Sequence, residues 1–322
     1  MPINRQDLIA IAKGLRVKKD RTKEMIKNGR FYEKHFLNQV VIPRQLFDAS
    51  VDLESDKWFF NGFVIKHGHR LFVVDPGVSF YARFIAAGLS PLDISALFLS
   101  HGHTDHCGDM VVFIEKILRN KSKKIKVFIA KTAFESEIPL YHRDKLKEAE
   151  HIDLKLLNDK DSDLRFDLFD GLKIEFISLF HSVPDTFGFK LAVGDQKFGY
   201  VSDTGYAVKV ETDRGEYPPE AIRGKFKGII KRHDYIRDFY QDVNTAIVNI
   251  NDLHYNRHSK YHLSGWDVLD LFKGSRLKRL ILQHLSPLDI EGEDSSYIYK
   301  LFFSDQSYKT VLPHYLGKMI SL

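Results

Sequence analysis

Apolar and polar residues alternate in two stretches near the middle of the chain. In the first, apolar residues occupy every second position over 164–168 and again over 172–176, with Asp170 and Gly171 between them. The second repeats this arrangement over 187–193 and 197–201, around Gly194 and Asp195. A period of two is typical of a half-buried strand, and Asp-Gly or Gly-Asp pairs favour tight turns. Both stretches are therefore predicted to be β-hairpins.

Shorter apolar runs and helical spacing predict the remaining elements. Further strands are expected at residues 58–65, 71–74, 96–99, 127–130, 245–250 and 278–283. Helices are expected at residues 79–87, 109–118, 131–151 and 264–272. Many hairpins with helices between them predict an α/β protein whose stacked sheets are covered by helices. We divide the chain into an N-terminal basic helical arm, residues 1–50, and a main domain, residues 51–322, with an insertion at 206–242.

The composition is that of a folded globular protein. Of the 322 residues, 43% are hydrophobic and 28% are charged, which excludes disordered and fibrous classes. With the single cysteine Cys107, the sequence has no intramolecular disulfide, as is usual in a reducing compartment. The apolar run at 8–12 is too short for a signal peptide, and no later stretch is long enough to cross a bilayer. We expect a cytoplasmic protein without membrane contact.

The net charge of +5 is concentrated at the N-terminus. Residues 1–35 hold ten lysines and arginines against four aspartates and glutamates, and the rest of the chain is nearly neutral. Such a basic arm suits a nucleic-acid contact or a partner surface. It equally suits a solvated helix face packed by its own apolar residues, and both interpretations stay open.

The insertion at 206–242 directly follows a candidate functional aspartate, Asp203. It contains eight basic and seven acidic residues, together with Tyr235 and Tyr240. These side chains suit phosphate binding and stacking on a nucleobase. The balanced charge suits a mixed surface or a subunit contact as well, and we expect a homodimer.

The strongest chemical signal is a cluster of histidines that follows an apolar strand. Residues 99–109 read LSHGHTDHCGD, so that His101, His103, Asp105 and His106 lie within six positions. Neutral imidazole and carboxylate are good zinc ligands. A tight loop would direct His101 and His103 to one ion, and Asp105 and His106 to a second. We therefore predict a metal site here.

The pattern His-x-His-x-Asp-His resembles the signature of the metallo-β-lactamase superfamily. The family's other motifs have counterparts: Asp75 after the strand FVV, His181 in FHSVP, Asp203 in SDTG, and His284 in QHLSP. The resemblance covers residues 58–322 and implies a four-layer αββα sandwich. Each counterpart follows an apolar strand, where such a sandwich gathers its ligands along one edge.

The resemblance also implies a ligand set and a cofactor. One metal would bind His101, His103 and His181, and the other Asp105, His106 and His284, with Asp203 between them. Asp75 would hold ligands in place from outside the coordination sphere, and Asp105 would be catalytic as well as a ligand. Two divalent ions about 3.5–4 Å apart would share a hydroxide that attacks the substrate. Zinc is the default for these ligands, and manganese also fits them.

The other histidines considered and the cysteine are interpreted as residues without a role in metal binding. His67 and His69 flank a glycine in a predicted turn, so we expect turn residues. Cys107 is expected to be a small buried residue that opens a helix. His254 and His258 precede His262 in a loop and could line a pocket, but we expect solvated loop residues.

Two segments indicate which reaction of the superfamily the protein is expected to catalyse. Residues 181–189 resemble the third-motif segment of ribonuclease Z and its phosphodiesterase relatives, and His262 resembles the ribonuclease Z histidine that assists phosphodiester cleavage. Ribonuclease Z usually carries a long tRNA-clamping arm between the counterparts of His181 and Asp203, which are only 22 positions apart here. The branch of the superfamily that acts on small substrates is therefore the better match. The segment Cys107-Gly108-Asp109, however, is more similar to that of general metal-dependent hydrolases.

These features favour a phosphodiesterase that hydrolyses a cyclic or short nucleotide, with His262 as a catalytic residue. The alternatives are an RNA or DNA nuclease of ribonuclease Z type that uses residues 1–35 to hold nucleic acid, and a lactone or thioester hydrolase. A binding module that has kept the fold and lost turnover is a fourth hypothesis.

Overall fold

A computed structural model provides the structure of the protein. It describes residues 50–52, 57–59, 62–67, 69–169, 171–193, 195–284, 299, 301–311 and 320–321. The predicted basic arm, apart from its last residue, lies outside these ranges.

The secondary-structure elements alternate along the chain. The strands are β1 Ser50–Asp52, β2 Lys57–Phe59, β3 Phe63–His67, β4 Arg70–Val74, β5 Ile94–Leu99, β6 Ile125–Ala130, β7 Ile152–Leu157, β8 Arg165–Asp167, β9 Lys173–Leu179, β10 Thr186–Val193, β11 Gln196–Val201, β12 Ala207–Thr212, β13 Gly215–Tyr217, β14 Phe226–Arg232, β15 Thr245–Asp252, β16 Leu263–Ser264, β17 Arg279–Gln283, β18 Lys309–Val311 and β19 Ile320–Ser321. The α-helices are α1 Phe80–Ala86, α2 Thr104–Cys107, α3 Met110–Arg119, α4 Lys131–Ser136, α5 Leu140–Glu148, α6 Asp234–Tyr240 and α7 Gly265–Leu271.

Two large sheets carry the fold. The first has the order β19-β3-β4-β5-β6-β7, and the second the order β18-β17-β15-β11-β10-β9-β8, with β16 beside β15. Strands β4 to β7 are parallel to one another. In the second sheet, β11, β15 and β17 are parallel, and the β9-β10-β11 meander is antiparallel. Parallel strands covered on both faces are apolar throughout, and every residue of β5 is buried.

The core lies between the two sheets. Phe98 of β5 contacts Phe176 of β9 with ring centroids 5.2 Å apart, and Phe72 of β4 contacts Phe189 of β10 at 5.6 Å. Helices cover the outer faces: buried residues of α1, α3, α4 and α5 join the core of the first sheet, and those of α6 and α7 pack on the second. The layers are therefore helix, sheet, sheet and helix, as predicted.

The insertion folds into a small sheet of its own. Strands β12, β13 and β14 form an antiparallel sheet in the order β13-β12-β14. Its apolar side packs on two aromatic residues of the main domain, with Phe226 stacked 4.7 Å from Trp266 and 5.4 Å from Tyr255. The insertion is thus attached to the same side of the molecule as α7.

The sequence predicted most elements but missed some. The two hairpins are confirmed as β8-β9 and β10-β11. The single helix expected over 131–151 is instead two helices, α4 and α5, which are separated by residues 137–139. The edge strand β7 and the three strands of the insertion were not anticipated. No helix in the described part of the chain is long and apolar enough to cross a membrane.

Candidate metal centre

The residues predicted as metal ligands lie just beyond strand ends at one edge of the two sheets. Asp75 follows β4, His101 follows β5, His181 follows β9, Asp203 follows β11 and His284 follows β17. Strands β9 and β11 run in the same direction, because both are antiparallel to β10. Strand β17 also runs in this direction, because β11 is parallel to β15 and β15 is parallel to β17. Side chains at the carboxyl ends of such strands meet in the crevice beyond the sheet.

One ligand group combines three histidines with an aspartate. It consists of His101, His103, His181 and Asp203, which each offer one ligand atom within 4.8 Å of the others. His181 Nε2 lies 3.2 Å from His103 Nδ1, and His101 Nε2 lies 3.8 Å from Asp203 Oδ2.

The second ligand group shares Asp203 with the first. It consists of Asp105, His106, Asp203 and His284, again within 4.8 Å of one another. His284 Nε2 lies 3.1 Å from Asp105 Oδ2 and 3.4 Å from Asp203 Oδ2. His106 Nε2 lies 3.5 Å from each of these two oxygens. Asp105 and His106 reach the group because they belong to α2, which begins directly after His103.

The donor atoms suit divalent metal ions. His101 is fully buried, and its Nε2 has no hydrogen-bond partner within the described residues. An unsatisfied buried nitrogen costs free energy, so its position is best explained by a ligand. Imidazole nitrogens and carboxylate oxygens are the ligands that zinc and related ions accept in proteins.

Charge compensation keeps the carboxylates of Asp203 and Asp105 ionised. Burial favours the neutral form of Asp203, but His284 and His106 hold its pKa well below the usual range. Burial has the same effect on Asp105, where His106 and His284 nevertheless lower the pKa to about 2. Both groups therefore offer anionic oxygens at neutral pH.

The histidines of the first group are neutral. Burial lowers the pKa of His101 well below its ordinary value, and it also lowers the pKa values of His103 and His181. The deprotonated ring is the form that binds a metal. These three rings therefore need not release a proton to act as ligands.

Asp75 supports the centre through a buried hydrogen-bond network. Its Oδ2 accepts hydrogen bonds from Ser100 Oγ at 2.6 Å and Tyr200 Oη at 2.7 Å, and lies 3.0 Å from His106 Nδ1. Its Oδ1 accepts the backbone N–H of Ser100 at 2.7 Å. A contact to the outer ring nitrogen fixes the tautomer and orientation of a ligating histidine. Asp75 makes such a contact to Nδ1 of His106.

The backbone is strained at two of these positions. Asp75 has φ 44° and His284 has φ 68°, in the left-handed region that non-glycine residues rarely adopt. Such conformations persist where the surrounding structure imposes them, and they cluster at functional sites. Nearby, a Cβ at Gly77 would lie 1.9 Å from the carbonyl oxygen of Asp105, so glycine lets the loop after Asp75 lie against α2.

His262 lies beside both ligand groups but belongs to neither. Its ring is 5.1 Å from that of His181 and 5.6 Å from that of His284, and its Nδ1 is 3.6 Å from Asp203 Oδ2. The side chain is 21% exposed, whereas that of Asp203 is 1% exposed. Burial, together with His284 and His181, lowers the pKa of His262 to about 3. A neutral and partly exposed imidazole thus lies beside the two ligand groups.

The sequence of residues 58–284 matches the family model of the Metallo-beta-lactamase superfamily. The chain belongs to this superfamily. Together with the two ligand groups, this membership identifies a metal-dependent hydrolase.

Similar proteins support the assignment of the metallo-β-lactamase fold. An uncharacterized protein of Methanocaldococcus jannaschii is 28% identical over 233 residues, which are 70% of this chain and 74% of that protein. The metallo-beta-lactamase fold protein YhfI from Bacillus subtilis superposes with a TM-score of 0.57 at 14% identity, covering 79% of this chain and 89% of that one. The short form of human tRNase Z superposes with a TM-score of 0.50 at 15% identity, covering 74% and 90%.

The other histidines in the described part of the chain lie outside the two ligand groups. His67 ends β3 and His69 lies in the turn before β4, as expected. His254 and His258 belong to the loop before His262 and are partly buried, so they are less solvated than expected. Cys107 ends α2 rather than opening a helix and is half-buried rather than buried, and burial raises the pKa of its thiol to about 12.

One residue of the insertion cannot have the role that the sequence suggested. Tyr240 was expected to suit base stacking, but it is fully buried and its hydroxyl donates to the Tyr200 carbonyl at 2.7 Å. The insertion's other tyrosine in that prediction, Tyr235, is 47% exposed.

The insertion was also expected to offer basic side chains for phosphate binding. One of these, Arg232, forms ion pairs with Asp234 at 2.8 Å and with Asp270 at 2.7 Å, so its charge is already paired.

A set of buried polar residues behind the candidate ligands was not predicted. Asn249 Nδ2 donates to Asp203 Oδ1 at 2.9 Å, Tyr200 Oη donates to Asp75, and Ser202 Oγ donates to Ser100 Oγ at 2.9 Å. The available signal was a polar residue within a buried strand: Asn249 is flanked by apolar residues of β15. Buried polar groups of this kind need partners, and here the partners belong to the centre.

Proposed function

We propose that the protein is a phosphodiesterase that uses two divalent metal ions to hydrolyse a cyclic or short nucleotide. The observation that carries this proposal is the position of His262. A histidine that borders both ligand groups without joining either is placed to handle a proton during the reaction.

The two ligand groups would each hold one ion, with Asp203 shared between them. When bound, such ions lower the pKa of water to about 7 and stabilise negative charge on a phosphate. Zinc fits the three-histidine group best, and manganese also fits this mixture of nitrogen and oxygen donors.

The chain's own residues position the ligands and manage the leaving group. Asn249 and Asp75 orient Asp203 and His106 through the hydrogen bonds described above. His262 would protonate the departing oxygen of the nucleotide. Because burial lowers the pKa of His262 to about 3 in the metal-free protein, the ring would first take up this proton from solvent, and the negative charge of a bound phosphodiester favours the imidazolium.

A phosphodiester fits this arrangement better than a thioester, because a thiolate leaves without a proton whereas the alkoxide of a sugar needs one. A short substrate fits better than tRNA, since β10 and β11 fill the chain between His181 and Asp203. The cytoplasmic location, the homodimer and the nucleic-acid contact through residues 1–35 remain parts of this proposal.

The test is an activity screen of the protein reconstituted with zinc or manganese. The substrates are bis(p-nitrophenyl) phosphate, cyclic nucleotides, single-stranded RNA, a lactone and a thioester. We expect turnover of the diester and of at least one nucleotide, close to two metal ions per chain, and loss of activity in a folded Asp203→Ala variant. Full activity in Asp203→Ala, or turnover of only the lactone or thioester, would refute the proposal.

A further inference from the structure

Four aromatic side chains form a row that starts beside the ligand His181. The ring of Tyr261 meets that of His181 edge-on at 6.3 Å and stacks with that of Phe180 at 5.7 Å. Phe180 lies 4.8 Å from His233, and His233 lies 5.9 Å from Tyr235. We call Tyr261, Phe180, His233 and Tyr235 the aromatic row. It links the metal centre to the insertion.

The aromatic row is a surface feature rather than part of the core. Phe180 is 38% exposed and Tyr235 is 47% exposed, and neither belongs to a buried cluster of the described residues. Single exposed apolar residues are common, but a contiguous group next to a catalytic centre marks a ligand-binding surface.

The backbone holds the aromatic row in place. The N–H of Phe180 donates to Thr204 Oγ1 at 3.2 Å, and its carbonyl accepts the N–H of Gly205 at 2.7 Å. A Cβ at Gly205 would lie 2.0 Å from the carbonyl oxygen of Lys260, so glycine allows the loop that carries Tyr261 to pack here. The backbone that carries Phe180 and Tyr261 is therefore held in place before any ligand binds, which lowers the entropic cost of binding.

Positive charge accompanies the rings. Lys260 Nζ lies 5.1 Å from the ring of Tyr261. Burial and the nearby charge of Lys231 lower the pKa of His233, so this ring is neutral at pH 7 and stacks as an aromatic group. Neither lysine forms a salt bridge with another residue that the structure describes. The neighbouring acid Asp234 is paired with Arg232 at 2.8 Å. Aromatic rings next to unpaired lysines match a ligand that is both aromatic and anionic.

We propose that the aromatic row binds the nucleobase of the substrate while its phosphate lies at the ligand groups. This inference rests on the proposed phosphodiesterase function and adds the substrate class, a nucleoside phosphodiester. One sugar separates a base from its phosphate, which places the base on Phe180 and His233 rather than on the ligands. Stacking accepts any base, because every base has a π-face. We therefore expect little discrimination among the four bases.

The test compares two diesters with the same leaving group. Thymidine 5′-(p-nitrophenyl phosphate) carries a base, and methyl p-nitrophenyl phosphate does not. Base stacking is worth about 1–3 kcal/mol. The kcat/KM of the thymidine ester divided by that of the methyl ester should therefore fall by about 5-fold or more in Phe180→Leu and in Tyr235→Ala, mainly because the KM of the thymidine ester rises. Phe180→Tyr keeps the ring and should keep the ratio. Tyr141→Ala removes a 62% exposed aromatic on α5 and serves as the matched control.

Direct binding separates this inference from the proposed function. By calorimetry on the metal-loaded protein, thymidine 5′-monophosphate should bind more tightly than methyl phosphate, and Phe180→Leu should abolish this preference. If both esters are hydrolysed but neither the kcat/KM ratio nor the binding preference changes in Phe180→Leu, the aromatic row does not bind the base, and the proposed phosphodiesterase activity is unaffected. If neither ester is hydrolysed but the binding preference for thymidine 5′-monophosphate exists and depends on Phe180, the aromatic row binds the base and the proposed phosphodiesterase activity is wrong. Loss of the preference in Tyr141→Ala as well would overturn the base site.

Discussion

Asn249 fixes the carboxylate that the two ligand groups share, by donating from Nδ2 to Oδ1 of Asp203 at 2.9 Å. The other oxygen, Oδ2, is left to face the histidines, with His284 at 3.4 Å and His106 at 3.5 Å. Asn249 is 2% exposed and Asp203 is 2% exposed, so water does not replace this hydrogen bond easily. Asn249 is thus a positioning residue for both groups.

Replacing Asn249 should weaken metal binding. We expect Asn249→Ala to lower the affinity by about 10- to 100-fold, the usual effect of removing an outer partner of a ligand. Competition with a chelator measures this change. Asn120→Ala is the matched control, because Asn120 is also buried and donates to a backbone carbonyl at 3.1 Å away from the centre. Equal affinities in the two variants would show that Asn249 does not position Asp203.

The sequence pointed to the candidate ligands but not to the residues that contact them. Residues 101–106 stand out because they are closely spaced after an apolar strand, whereas His181, Asp203 and His284 were assigned through the resemblance to the superfamily. Asn249 and Tyr200 contact Asp203 and Asp75 only through the folded sheets, from positions up to 125 residues away. The strands of the insertion were missed because charged residues interrupt their alternation, as in β14, FKGIIKR. The edge strand β7 buries only its last residue, so its apolar pattern is weak.

The capping box that starts α7 should make stability depend on pH. Ser264 and Asp267 form this box, and Tyr255 Oη also donates to Asp267 Oδ1 at 2.8 Å. Burial nevertheless raises the pKa of Asp267 from 3.8 to about 6. Between these values the folded state holds a proton that the unfolded state lacks, so the folded state gains stability as the pH falls through 6.

We therefore expect the wild type to gain about 1 kcal/mol of unfolding free energy relative to Asp267→Asn between pH 7 and pH 5. Asparagine does not titrate, so the difference between the two proteins isolates Asp267 from the histidines of the centre. Urea unfolding of both metal-free proteins at several pH values measures it. A difference that stays constant with pH would contradict the raised pKa.

Residues 1–35, the charged part of the predicted basic arm, should matter only for long nucleic acid. Their surplus of six positive charges would release counterions on binding, so affinity should fall steeply with salt. Deleting residues 1–35 should flatten that slope and weaken RNA binding, while hydrolysis of a small diester continues. A triple variant Lys18→Gln, Lys19→Gln and Lys23→Gln tests the charge without shortening the chain. If deletion leaves RNA affinity unchanged, the arm is a solvated helix or a protein contact.

His262 borders the ligand groups, and its neighbour Ser264 caps α7 through the Asp267 N–H at 3.3 Å. The short strand β16 and this cap hold the chain directly after His262, and the N–H of His262 donates to the His258 carbonyl at 3.1 Å on the preceding side. A residue held in this way retains its position when a single ring is removed. His262→Ala should therefore keep the fold and the metal content, which separates this residue from the ligands.

His262→Ala should lower kcat on a nucleotide diester by about 10²- to 10⁴-fold, the usual contribution of a general acid. The loss should be far smaller on a p-nitrophenyl diester, because p-nitrophenolate is stable as an anion and gains little from a proton. Steady-state kinetics on both substrates, with metal analysis of each preparation, measures the two effects. The ligand variant His181→Ala provides the contrast, since losing a ligand should impair both substrates alike and reduce the bound metal. The same pattern in His262→Ala would make His262 a ligand or a structural residue rather than the acid.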